Sequence, residues 1–128
     1  MQRDVELVEQ FYAALSKRNV KAMLMLMSKD VEIVQSPELP WGGVYRGHEG
    51  AQEYWGKLEE YLDSRVEIEC CIDAGDHVVA VGRTTGKGRS SKLEFDIPVV
   101  HVWAVQGGQI TRFEPYLDNA TMLAALNL

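Results

Sequence analysis

The sequence predicts an α+β fold in one domain, residues 1–128, and three observations carry that reading. Apolar residues recur at helical spacing near the start and again after His48. From Val66 onward, apolar and polar residues alternate in the manner of strands. Gly107-Gly108 then joins two such runs as a two-residue hairpin. No linker, repeat or low-complexity stretch divides the chain. With 46% hydrophobic and 25% charged residues, its 128 residues suit a single core.

The elements follow in order. Val5, Val8, Phe11, Tyr12 and Leu15 form one helical stripe, with acids in the early turns and Lys17-Arg18 closing the helix. Asn19 is placed to cap a short second helix, Val20 to about Met27, whose Met23, Met25 and Met27 read as core filling or as an adaptable binding surface. Asp30 to Gln35 is a first strand, stopped by Ser36-Pro37. A loop with Trp41, Gly42, Gly43 and Tyr45 leads to a third helix, about His48 to Leu62, with Tyr54, Trp55, Leu58 and Leu62 on its apolar side.

Next, Val66, Ile68, Cys70 and Ile72 alternate against Glu67, Glu69, Cys71 and Asp73, a half-buried strand. Ala74-Gly75-Asp76 turns it into a strand from His77 to about Thr85. Gly86 to Ser91 reads as a flexible hairpin loop; it has glycines but no following helix to cradle a phosphate. Strands from about Leu93 to Gln106 and Gln109 to Leu117 follow, and Asp118 caps a short last helix with Met122, Leu123 and Leu126.

Thirteen basic against nineteen acidic side chains give a net charge of −6, with no basic cluster, so neither nucleic acid nor an anionic membrane is expected as partner. No apolar run approaches a membrane span, and the opening Met1 to Glu6 lacks a signal-peptide stretch. The only cysteines, Cys70 and Cys71, are adjacent and should point to opposite faces, so they cannot staple a secreted fold. A reducing, cytoplasmic setting is expected. His48, His77 and His101 lack metal-ligand spacing, and no serine or cysteine sits in a nucleophile motif, so neither metal nor cofactor is expected.

Phe11-Tyr12-Ala13-Ala14-Leu15, the Tyr45-Arg46-Gly47 approach to the third helix and the Gly108-Gln109-Ile110 hairpin, taken with this order of elements, carry a resemblance across nearly the whole chain. The sequence resembles the SnoaL-like branch of the nuclear-transport-factor-like superfamily, which includes steroid isomerases, polyketide cyclases and limonene epoxide hydrolases. The resemblance implies a cone, a cystatin-like roll in which a curved antiparallel sheet wraps three N-terminal helices. It implies a pocket at the open end for a small organic molecule, and a homodimer through the outer sheet face. Gln35, Phe11, Tyr12 and Trp55 become pocket walls on this resemblance, with a solvent-facing Tyr12 as the alternative.

A regular count outward from Gln106 opposite Gln109 assigns the faces. One face carries Val102 with Phe113, Val100 with Pro115, then Pro98, Asp96 and Leu117; it is almost wholly apolar and should line the cone. The other carries Trp103 with Arg112, His101 with Glu114, and Val99 with Tyr116.

The acids that the resemblance would require are replaced. Where steroid isomerases hold an aspartate base this chain has Gln35, and their tyrosine and second acid are Phe11 and Val100. The supporting tyrosine of the third helix is Trp55, and the last-strand acid of the cyclases and hydrolases is Pro115. Steroid-isomerase chemistry is thereby excluded, and of a hydrolase relay only Arg83 and Asp96 remain.

Asp96, expected inside, is a candidate general base with Gln35 orienting a carbonyl or water, or else a rim carboxylate paired with Arg83. His101 and Glu114 are a fallback acid–base dyad, or a cross-strand pair on a dimer face. Trp41 and Tyr45 read as an exposed aromatic lid or as loop anchors. The function expected is binding of a hydrophobic organic molecule, with cofactor-free isomerase, cyclase or hydratase chemistry. The alternative is a non-catalytic binding or dimerising accessory protein.

Overall fold

The computed structural model describes residues 2–128; Met1, part of the opening stretch considered for a signal, lies outside the described residues. Helices α1 (Gln2–Ser16) and α2 (Val20–Met25) lead into strands β1 (Met27–Gln35) and β2 (Gly43–Arg46). Helix α3 (Gly47–Tyr61) precedes strands β3 (Leu62–Asp73), β4 (His77–Gly88), β5 (Glu94–Gln106) and β6 (Gln109–Tyr116), and α4 (Asn119–Ala125) ends the chain. The strands form one curved, unclosed sheet in the order β2-β1-β6-β5-β4-β3, antiparallel except where β1 runs parallel to β6. α3 lies across β1, α1 across β3 and β4, and α4 against β5. The core sits between these helices and the inner face of the sheet. No helix among the described residues is long and apolar enough to cross a membrane.

The helical stripes behave as read. Val5, Val8 and Phe11 are buried, and Asn19 Oδ1 accepts from the Ala22 amide while Asp118 Oδ1 accepts from that of Thr121. α1 stops at Ser16 because Arg18 adopts φ 53°, and its guanidinium then reaches Glu59 of α3 at 2.8 Å. Of the three methionines read together, Met23 and Met27 are buried and Met25 is exposed. β1 starts at Met27 rather than Asp30, because the Ile110 amide donates to the Leu26 carbonyl and draws the chain alongside β6.

Several expectations need correction. The segment before α3 contains β2, paired with β1 from Arg46 opposite Glu32 to Gly43 opposite Gln35. The glycine-rich stretch after Thr85 is no flexible loop. β4 continues to Gly88, the Arg89 guanidinium donates to the Glu59 carbonyl, and Ser91 Oγ donates to the Ala125 carbonyl at 2.6 Å.

Two β-bulges change facings. In β3 the ladder passes from Ile68 opposite Gly82 to Cys70 opposite Val81, leaving Glu69 as an extra residue. Cys71 therefore takes the half-buried position, while Cys70 and Ile72 are exposed, the reverse of the alternation read from sequence.

The second bulge is at Thr111. Gly107 and Gly108 have φ 58° and 76°, and Gln106 faces Gln109, as the hairpin requires. Val105 then pairs with Ile110 but Ala104 with Arg112, so Thr111 has no opposite number. Beyond it Trp103 faces Phe113, Val102 faces Glu114, His101 faces Pro115 and Val100 faces Tyr116. β6 keeps its expected facing and β5 is inverted: Phe95, Ile97, Val99, His101 and Trp103 point inward.

Candidate functional site

The inner face of the sheet and the helices over it enclose a cavity of about 60 Å³. Its walls are largely aromatic: Phe11 and Tyr12 from α1, Tyr54 and Trp55 from α3, Trp103 from β5 and Phe113 from β6. Trp103 and Phe113 stack with centroids 4.2 Å apart, and Trp55 lies parallel to Phe113 at 5.9 Å. Such walls suit a slender apolar group.

One hydrogen-bonded relay runs into this cavity. Trp103 Nε1–H donates to Tyr12 Oη at 2.9 Å, and Tyr12 Oη lies 2.6 Å from His101 Nδ1. An indole only donates, so the phenol accepts from Trp103, and the only acceptor recorded for its own proton among the described residues is the Nδ1 lone pair. The imidazole hydrogen is then on Nε2. That nitrogen has no hydrogen-bond partner among the described residues and keeps some accessible surface, and His101 is part of the cavity lining. Burial pushes the His101 pKa down to about 4, and burial also raises that of the Tyr12 phenol. At neutral pH the relay is uncharged and ends in an N–H donor.

A second polar group lies nearby. Tyr54 Oη donates to Gln35 Oε1 at 2.7 Å, and both side chains are buried. The Gln35 amide NH₂ has no partner among the described residues. Thr84 and Ser64 complete the polar part of the lining, which holds no carboxylate.

The structure brings together Phe11, Tyr12, Gln35, Trp41, Trp55, His101, Phe113 and Pro115 from the expected set. It separates the others. Asp96 is exposed on the outer face, its Oδ1 2.5 Å from Arg83 Nε, because the Thr111 bulge inverts β5 relative to the regular count. Arg83 is outward on β4 and pairs with Asp96 as a cross-strand neighbour. Val100 is also outward, at 39% exposure. His101 and Glu114 do not form a dyad: the imidazole is inside, while Glu114 faces out, accepting from Arg112 at 2.9 Å and from Tyr116 Oη at 2.8 Å. Those two donors hold its carboxyl below the usual range.

Trp41 and Tyr45 are anchors and not an exposed lid. Both are buried, and Tyr45 Oη donates to the Trp41 carbonyl at 3.0 Å, tying the loop to the body. Trp41 borders the cavity from within, whereas Tyr45 packs on Tyr54 and lies outside its lining.

Trp103, Tyr54 and Thr84 were missed. The repeat Val99, His101, Trp103 at a spacing of two carried the signal, but Val100 and Val102 make the opposite face equally apolar. A larger depression, about 830 Å³, lies along Arg18, Arg65, Lys87, Asp63 and Asp96; it is polar and open, with charges of both signs.

Comparison with known proteins fits this architecture. Residues 8–113 match the SnoaL-like domain, and the chain belongs to that family. An NTF2-like protein of unknown function from Burkholderia pseudomallei is similar over 100% of both chains, at 21% identity and a TM-score of 0.92. An NTF2-like protein from Burkholderia thailandensis is 29% identical over 96% of each chain, with a TM-score of 0.89. TerC, co-crystallised with polyporic acid, is 26% identical over 98% of this chain and 99% of its own, also with a TM-score of 0.89. No curated protein matches the chain.

Proposed function

We propose that this SnoaL-like protein binds an apolar, carbonyl-bearing organic molecule in its cone and polarises the carbonyl through His101. The observation that carries the reading is the Trp103–Tyr12–His101 relay, which fixes an uncharged N–H donor at the cavity wall. A neutral donor set in an apolar site stabilises negative charge growing on a carbonyl oxygen without first giving up a water shell. Enone isomerisation, intramolecular aldol closure and hydration all build such charge, and with no carboxylate in the described lining a water oriented by Gln35 carries the proton that each step moves. Gln35 orients the carbonyl or a water through its free amide NH₂. A small-molecule role is in keeping with TerC, which was crystallised with polyporic acid.

A second reading is a non-catalytic binding protein, favoured by the absence of a carboxylate from the described lining. In both readings the chain is a homodimer through the outer face, where Val81 pairs with Val100 and Val79 with Val102. Both readings also place it in the cytoplasm, where Cys70 and Cys71 stay unpaired.

Native mass spectrometry of freshly purified protein tests this, by comparing the intact complex with the denatured chain. The expected result is a dimer retaining a small organic molecule that the His101→Phe variant loses. Equal retention by the variant would remove His101 from the reading. Turnover of an enone panel by the wild type, lost in the variant, separates enzyme from binder.

A further inference from the structure

A second space adjoins the cavity. A groove of about 270 Å³ runs between α2 and α3, lined by Val20, Met23, Leu24, Met27, Gly56 and neighbours. It is largely apolar; Gln52 and Glu59 are the polar side chains in its lining. Trp55 is the one side chain that belongs to both linings. It is half-buried and lies where the two linings meet.

Volume decides what fits. The inner cavity, at about 60 Å³, holds a few heavy atoms and is far below the roughly 150 Å³ of an apolar cavity known to take benzene. Added together, the cavity and the groove reach the roughly 300 Å³ at which organic-ligand sites begin. Methionines suit a wall that adapts to a flexible chain, because the unbranched thioether changes rotamer readily. Gly56 lines the groove without a side chain, and a Cβ built there meets no heavy atom within 4 Å, so a larger residue has room at this position.

We propose that the ligand spans both spaces, a slim ketone or enone head against His101 and an unbranched aliphatic tail passing a displaced Trp55 indole into the groove between Met23, Met27 and Gly56. This rests on the reading of His101 given above and adds the shape of the substrate: long and narrow, with its carbonyl near one end.

The test is a series of methyl ketones with ethyl, butyl and hexyl tails, titrated while the indole N–H signals are followed by NMR. Affinity should rise about fourfold per added methylene, the gain for burying each CH₂. Every member should shift the Trp103 signal, and only the longer ones that of Trp55. Gly56→Leu fills the groove with a residue that favours helix, and should flatten the rise with tail length; Gly56→Ala should reduce it partly.

If methyl ethyl ketone binds and His101→Phe abolishes that binding, but affinity is independent of tail length, the spanning ligand is wrong and the His101 reading stands. A rise with tail length that survives Gly56→Leu likewise puts the tail elsewhere. If no ketone moves the Trp103 signal, the His101 reading fails and this inference fails with it.

Discussion

Tyr12 Oη and His101 Nδ1 lie 2.6 Å apart, joining residues separated by most of the chain and fixing the first helix over the fifth strand. The same phenol oxygen accepts from Trp103, so one hydroxyl satisfies two buried ring nitrogens.

Tyr12→Phe removes that hydroxyl and nothing else. Trp103 Nε1 and His101 Nδ1 both lose their partner, and each unsatisfied buried group costs about 1–3 kcal/mol. Chemical denaturation should show a loss in that range or above. Nitrogen-15 NMR of the His101 ring should show a single Nε2–H tautomer in the wild type and a mixture in the variant.

Acid should weaken the protein in a window set by His101. Its pKa falls from an ordinary value near 6.5 to about 4 on folding. Between those values the unfolded chain binds the proton that the folded chain refuses. Stability is therefore full above pH 6.5 and declines as pH falls toward 4, by about 3 kcal/mol in all. His101→Phe should flatten the stability profile in that interval. The Glu114 carboxyl, whose pKa is lowered, adds to the loss as pH falls below its ordinary value near 4.5, where its protonation releases Tyr116 and Arg112.

Asp96→Asn should do little. Both partners of its ion pair with Arg83 are largely exposed, and such surface pairs are worth about 0–1 kcal/mol. Denaturation midpoints should move within that range, and ketone affinity should not change. A large loss of binding would mean that the outer face reaches the ligand.

The dimer proposal concentrates on Val100, which is exposed beside Val81 at the centre of the outer face. Val100→Glu sets two like charges near each other across a two-fold axis and should convert dimer to monomer by light scattering. A wild-type protein already monomeric would remove the outer face as an interface.

The helices and most strands were legible because their signals are local. Val5, Val8 and Phe11 need only their spacing to declare a helix, and Asn19 and Asp118 need only a nearby amide to act as caps. Facing is a different kind of information. On β5 both rows are apolar, Val99 and Trp103 against Val100 and Val102, so the pattern could not choose and the choice passed to counting from the hairpin. One unpaired residue, Thr111, reversed the count; Glu69 did the same on β3. β2 was hidden for a related reason: four residues, Gly43 to Arg46, are too few to show alternation, and only pairing with β1 makes them a strand. Among the cavity residues, Phe11, Tyr12, Trp55 and Phe113 followed from periodicity or resemblance, whereas Trp103 on β5 waited for the register.

The surplus residue at Thr111 also governs the chemistry available inside. In an uninterrupted ladder His101 would sit opposite Glu114, an imidazole and a carboxylate sharing one wall. With the bulge, His101 sits opposite Pro115 and the acid is turned outward to Arg112 and Tyr116. Chain length between a turn and a strand, rather than any change of side chain, keeps this histidine apart from an acid. A regular ladder without that single residue would set His101 opposite Glu114, so the length of the hairpin arm decides whether this imidazole has an acid for a neighbour.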